Sequence, residues 1–459
     1  VVASDQRRSR PNTRLRALLS EAGWTQEALA RAVKAVGAEA GVALYYDRTT
    51  VGHWLAGAIP RQAARLFVVE ALARRLGRPV GAEEAGFPPE RLPVPDPQSA
   101  VAHPAVALER LAQDSLMMLS GRGEERPFRV ASVAVPGWPH ARPDGVGAAD
   151  PAEPAPPFQL RELQAVERFF AASIDSFGGV HARRALLAYV GHDVTKLYPS
   201  RPSRDRHSAV LCGAARLAYL AARMSGDAGR NGAAQLCLEH AMSLAAAAPD
   251  PVTWALALRG MSERACLLGH VGAAVRAAQG AEAVGLAGAP WHTRAFVLAQ
   301  SGVAHAAAGS RRDALTALNA AERALERAAL PGSEDARSGP FDSYPRAALV
   351  YQQGQTLRAL GDLEGALRAW RTSLDLRADS DCRGRMLTHC QMAGTLLAAG
   401  ELEESCSAAG AAVDLAVALH SEQARNALKR LTHELVPYRR SAVVRQLMRR
   451  IRQTPEVLR

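Results

Sequence analysis

One spacing narrows the folds open to this sequence more than any other. Gly229, Gly269, Gly309, Gly361 and Gly400 are each followed five residues on by a small side chain: Ala234, Ala274, Ala314, Ala366 and Ser405. Nine residues beyond each glycine stand Leu238, Ala278, Leu318, Trp370 and Ala409, and twelve beyond stand Ala241, Ala281, Ala321, Ser373 and Ala412. Such offsets fit a helix that begins just after a turn glycine, with small residues where a second helix must come close and a larger one filling the gap. The period is about 40 residues, and a unit of that length buries its apolar face only by stacking on its neighbours. The third interval is longer and holds Pro331-Gly332 through Gly339-Pro340, which reads as a loop inserted between repeats. Val350 to Leu376 is the most regular unit.

The small-large-small pattern resembles a degenerate tetratricopeptide repeat. The resemblance implies helix pairs curved into a superhelix whose concave wall is built from the first helix of each pair. Counted from the glycines, that wall includes Arg216, Tyr219, Arg223, Arg259, Glu263, Tyr351, Gln355 and Arg358. Arginines and aromatics in a groove can hold a carboxylate or a peptide through charge-assisted, bidentate hydrogen bonds. Two roles stay open: the repeats sense a peptide, partner protein or small ligand, or they only dimerise the chain. Ser421 to Val436 and Ala442 to Ile451 read as terminal helices, the latter bearing Arg445, Arg449, Arg450 and Arg452 as a solvated face or a DNA contact.

The N-terminal part has a different grammar. Asp47 precedes Arg48-Thr49-Thr50-Val51-Gly52-His53-Trp54-Leu55, where Val51, Trp54 and Leu55 share one face and Arg48, Thr49, Gly52 and His53 the other. Asp47 is a helix N-cap, Gly57 a stop, and Pro60 blocks continuation. Upstream, Thr25 caps Gln26 to Val33, with Ala28, Leu29, Ala32 and Val33 as its buried stripe. Thr13 to Ala22 and Leu66 to Leu76 complete a small bundle with Leu15, Leu18 and Leu19 and with Leu66, Val69, Leu72, Ala73 and Leu76 inward.

The segments from Thr25 and from Asp47 resemble the helix-turn-helix of Xre-type DNA-binding domains. With Pro60-Arg61 and Arg74 to Val80, the match extends to large actinobacterial regulators that join this domain to tetratricopeptide repeats, some of them negative regulators of sporulation and antibiotic production. Two positions depart from the pattern: the connection from Val36 to Tyr46 exceeds the usual short turn, and Leu55 stands where a helix-packing Glu is common. The resemblance implies double-stranded DNA as partner, with Arg48, Thr49 and His53 at base edges and Thr25, Gln26, Thr50, Arg61, Arg14 and Arg16 at phosphates. Arg48 leads for specificity because a guanidinium matches the O6/N7 edge of guanine. One short helix reads few base pairs, so a homodimer on a two-fold operator is expected, acting as a repressor in the cytoplasm on the nucleoid.

Charge is compatible with this and does not prove it. The 459 residues carry a net charge of +11. Arg7, Arg8, Arg10, Arg14 and Arg16 form a basic arm that either follows the phosphate backbone or is a solvated end. Between residues 88 and 157 lie 14 of the 27 prolines, so this stretch reads as a Pro-rich linker that lets the reader domain swing. It contains one helix, Val106 to Leu119, and a short strand, Arg129 to Val135. The expected architecture is therefore all-α: a helix-turn-helix bundle (1–87), a linker (88–159) and a tetratricopeptide-like α-solenoid with capping helices (160–459). Gly178-Gly179 breaks the first helix of the solenoid, a packing feature with no evident function.

Chemistry is harder to find. Phosphate-binding loops, nucleophile elbows and zinc-protease motifs are missing. The six cysteines lack CxxC spacing and read as reduced thiols, and Cys382, His389 and Cys390 lack a fourth ligand. No metal, cofactor, enzyme activity, signal peptide or membrane span is expected. The competing reading is a repeat scaffold that holds proteins and whose helix-turn-helix no longer binds DNA.

Overall fold

The computed structural model describes residues 10–89, 95–121, 126–130, 138, 158–198, 204–286, 288–330 and 344–454. Four helices come first: α1 (Thr13–Glu21), α2 (Gln26–Glu39), α3 (Arg48–Leu55) and α4 (Gln62–Leu76). Two follow in the Pro-rich region, α5 (Pro97–Ala102) and α6 (Pro104–Leu119), then α7 (Phe158–Phe177) and α8 (Gly179–His192). Five helical hairpins succeed them: α9 (Arg204–Asp227) with α10 (Asn231–Ala247), α11 (Pro251–Leu267) with α12 (Val271–Gly285), α13 (Trp291–Ala307) with α14 (Arg311–Ala328), α15 (Arg346–Ala359) with α16 (Leu363–Leu376), and α17 (Cys382–Ala399) with α18 (Leu402–Ala416). The chain ends in α19 (Glu422–Glu434) and α20 (Ala442–Arg452). The protein is all-α, and no strand occurs among the described residues.

Each hairpin turns on one of the five glycines. All five hold positive φ, from 73° at Gly229 to 88° at Gly400, a conformation that side chains with a Cβ rarely adopt. Small residues then admit the partner helix. At Gly354 a Cβ would sit 2.7 Å from Trp370 Cδ1, so the indole, fully buried, closes directly onto the backbone of α15. First helices stack on first helices, α9 on α11, α11 on α13, α13 on α15 and α15 on α17, as a solenoid requires.

The first four helices share a separate core. Leu15, Leu29, Val33, Val51, Trp54, Phe67 and Leu72 are buried together. Caps fix the starts: Asn12 accepts from the Leu15 amide, Thr25 from the Ala28 amide, and Asp47 from the Thr50 amide at 2.8 Å. Ala28 and Ala32, expected inside, are half-buried, and so are Leu66 and Leu76 on α4. Phe67, Val68 and Glu70 point inward instead, because α4 must also present Glu70 to the chain that crosses it.

That crossing corrects the linker. Among the described residues of 88–159, read with one helix, α5 and α6 are both helical, and both pack on α10. Arg129 and Val130 form no strand, and the remainder of that expected strand lies outside the described residues. Instead, residues 126–130 form a strap between the first four helices and the repeats. Phe128 is 1% exposed. The Val130 amide donates to Glu70 Oε1 (2.9 Å), and the Phe128 carbonyl accepts from Arg74 Nη2 (2.8 Å). On the other side, Gln235 Oε1 accepts from the Arg129 amide (2.7 Å) while its Nε2 donates to the Arg129 carbonyl (3.1 Å), and Glu239 grips the Arg129 guanidinium. Gly232 lets the strap approach, since a Cβ there would collide with the Arg126 carbonyl. Arg74 also forks onto Glu39 (2.8 and 2.9 Å), whose carboxylate meets His270 Nε2 at 3.3 Å. Burial works to raise the Glu39 pKa, but the hydrogen bonds from His270 and Arg74 outweigh it and hold the group below the usual carboxylate range. A swinging linker does not describe this joint.

The Gly178-Gly179 break joins the two ends of the repeat body. Gly178 has φ 85°, and a Cβ there would lie 2.5 Å from the His420 carbonyl oxygen. The Val180 amide donates to His420 O (3.1 Å) and the His420 amide to Phe177 O (2.8 Å). Asp227, 1% exposed, is the centre of this clasp. It accepts from the Gly179 amide (2.7 Å), from Arg383 Nε (2.6 Å) and from the Ser421 hydroxyl (2.8 Å). One carboxylate at the end of α9 thus ties α8, α17 and α19 together.

Candidate functional site

Two surfaces stand out. The first is the outer face of α3. Val51, Trp54 and Leu55 are buried, whereas Arg48, Thr49 and His53 are exposed. The Arg48 and His53 side chains make no hydrogen bond or ion pair with any described residue, nor do those of Arg16 and Arg61, which are exposed as well. Thr25 and Thr50 are already occupied, Thr25 as a cap and Thr50 Oγ1 as a donor to Asp47 Oδ1 at 2.8 Å. Gln26 lies where a Cβ on Gly52 would touch it at 3.4 Å, so it sits at the crossing of α2 and α3. Arg14 donates to the Glu83 carbonyl at 2.8 Å while remaining exposed. Arg7 and Arg8 of the basic arm lie outside the described residues. Tyr45, 89% exposed on the connection into α3, was not singled out from sequence; an aromatic two residues before a capping Asp was the available signal. Its neighbour Tyr46 packs edge-on against Trp54 at 5.2 Å.

The second is a cavity of about 760 Å³ lined by the first helices of the hairpins together with α7 and α19. Seven of the eight expected groove residues line it: Tyr219, Arg223, Arg259, Glu263, Tyr351, Gln355 and Arg358. Arg216 does not. It shares a helical face with Tyr219 and Arg223, but α7 covers that end of α9 and Glu167 lies 4.0 Å from its guanidinium. Sequence reading missed Arg264, Arg377, Arg383 and Arg430, which also line the cavity.

Ion pairs and ring contacts hold the wall. Arg259 donates to Glu263 (2.6 Å) and lies 3.6 Å over the Phe296 ring. Burial raises the Glu263 pKa, but Arg259 and Arg264 overcome it and drive the carboxyl far below the ordinary range. Arg377 pairs with Asp381 and lies 5.6 Å over Tyr351. Burial pushes the Tyr351 hydroxyl up to about 12, so it serves as a neutral hydrogen-bonding group. Among the described residues, Arg358 donates to the side-chain oxygen of Gln391 (2.9 Å) and to no carboxylate.

Neither surface assembles a nucleophile or a metal set. No group of His, Cys, Asp and Glu suited to a metal occurs among the described residues, and Cys382, His389 and Cys390 do not converge on one. All six cysteines are free. Burial pushes Cys212, Cys237, Cys266 and Cys390 up to about 12, so below that pH these thiols stay protonated and unreactive. At pH 8 to 9 iodoacetamide should leave those four unmodified in the folded protein and label all six in denaturant, as mass spectrometry would read.

Comparison with known families bears on the first surface. A family model described as the SP15 N-terminal domain matches residues 15–88, which takes in most of α1 and all of α2 to α4 and stops before the repeats. No curated protein matches the chain. Among the described residues, no helix is long and apolar enough to cross a membrane.

Proposed function

We propose that the protein is a sequence-specific DNA-binding regulator, of the Xre type joined to tetratricopeptide repeats, that works in the cytoplasm on the nucleoid as a homodimeric repressor of developmental or secondary-metabolism genes. The observation that carries the reading is the split of α3: an apolar side locked into the bundle and a polar side, Arg48, Thr49 and His53, turned outward with its cation and imidazole uncommitted. A helix so presented has the form the major groove accepts. Arg16 and Arg61 supply uncommitted cations for phosphates on the same module.

In this reading the repeat body is a sensor. Three of its cavity residues, Arg259, Glu263 and Arg264, sit on α11, the helix that leads into His270, and His270 touches Glu39 at the end of α2. The strap on α10 adds a second route, so a change in the hairpin of α11 and α12 has physical means to shift the reader. Recovery of genomic fragments on the immobilised protein, followed by a salt series, tests the proposal. Affinity should fall steeply with salt, with a slope of roughly −0.9 per phosphate contact. Retention that is indifferent to both sequence and salt would favour the scaffold reading.

A further inference from the structure

We propose that the central cavity binds a small organic oxyanion, a molecule joining a phosphate or carboxylate group to an apolar or aromatic body. The inference rests on the reading of the repeat body as a sensor and needs no DNA. Charge is the first argument. Seven arginines line the cavity, and the carboxylates that neutralise them are Asp175, Glu263, Asp381 and, behind Arg383, Asp227. Arg358 on α15 and Arg430 on α19 have no carboxylate among the described residues. Arg358 is half-buried and Arg430 exposed, and a cleft lined by an excess of positive charge raises the local concentration of anions.

A missing acceptor is the second argument. The Arg377 side chain is 8% exposed and spends one nitrogen on Asp381, while its Nε has no acceptor among the described residues. Buried guanidinium N–H groups are rarely left unsatisfied, and an oxyanion supplies what Nε lacks. Size is the third. The clasp at Asp227 joins α8 and α9 to α17 and α19 beside the cavity, whose volume of about 760 Å³ falls in the range of small-molecule sites. Phe296, Tyr344, Tyr351 and Leu387 form the less polar part of the wall, which calls for more than a bare ion.

Isothermal calorimetry on the full chain at constant ionic strength decides the matter, with inorganic phosphate, phenyl phosphate and 3-phenylpropionate as probes. Phenyl phosphate or 3-phenylpropionate should bind at one site per chain at least tenfold tighter than inorganic phosphate, and the tighter of the two identifies the head group. Arg358→Gln and Arg430→Gln should each weaken that binding tenfold or more without moving the unfolding midpoint. Arg323→Gln, on the exposed face of α14, should leave it unchanged. Absence of saturable heat with all three probes, or binding that survives both cavity substitutions, overturns the proposal. A low-mass extract fraction or a short acidic peptide that stabilises the protein where the three probes fail would also overturn it, while leaving the sensor reading standing.

Discussion

Asp227→Ala should lower the stability of the repeat body by about 3–5 kcal/mol, the usual consequence of removing one partner from a buried ion pair. The loss is large because Asp227 holds three groups at once. Without it the Arg383 guanidinium loses its carboxylate and keeps Gln423, and the Gly179 amide and the Ser421 hydroxyl lose their acceptor in a place with little water. Denaturant unfolding would show an earlier midpoint, and proteolysis should become faster near residues 178 and 420, where the two ends meet. Unchanged unfolding and unchanged cleavage would mean that backbone packing alone closes the body.

Arg74→Ala has the next largest expected effect, and it is local. The side chain answers Glu39 and Glu70 together and holds the strap through the Phe128 carbonyl. Glu70 is 4% exposed, and burial already pushes its pKa up. Taking away the cation leaves an uncompensated buried acid, again at a cost of about 3–5 kcal/mol. Hydrogen exchange at the Val130 amide, which donates to Glu70, should accelerate at least a hundredfold. Arg78→Ala is the control. That residue pairs with Glu21 and Glu84 on the surface, where such contacts contribute at most about 1 kcal/mol, so the strap should not respond. Equal exchange in both variants would show that the reader is not held through this network.

The parts legible in the sequence were those whose cause is local. Turn glycines need positive φ wherever the hairpins turn, and caps such as Asp47 and Thr25 act within three residues, so both could be read directly. Helical phase counted from a glycine brought seven groove residues to one cavity for the same reason. Arg216 shows the limit: its phase was right, but nothing nearby in sequence announces that α7 lies over it. Arg430 was missed because α19 looked like an end cap, and only the clasp brings it round to the cavity. The strap had no local signal at all, and of the clasp only the Gly178-Gly179 break could be read, without its partner. Gly178 answers to His420 and Arg129 to Gln235, partners more than a hundred residues away, and a Pro-rich composition concealed α5 and a bound segment, although α6 was read from its own apolar spacing.

Everything proposed about DNA rests on the outward face of α3, and paired substitutions in a binding assay over operator variants test it most directly. Arg48→Ala should cost about 1–3 kcal/mol at one base pair and relax preference there, whereas Gln26→Ala should weaken every sequence alike. If neither substitution alters binding, or if both act equally on all sequences, α3 is not the reading helix and the account of this protein as a gene regulator fails.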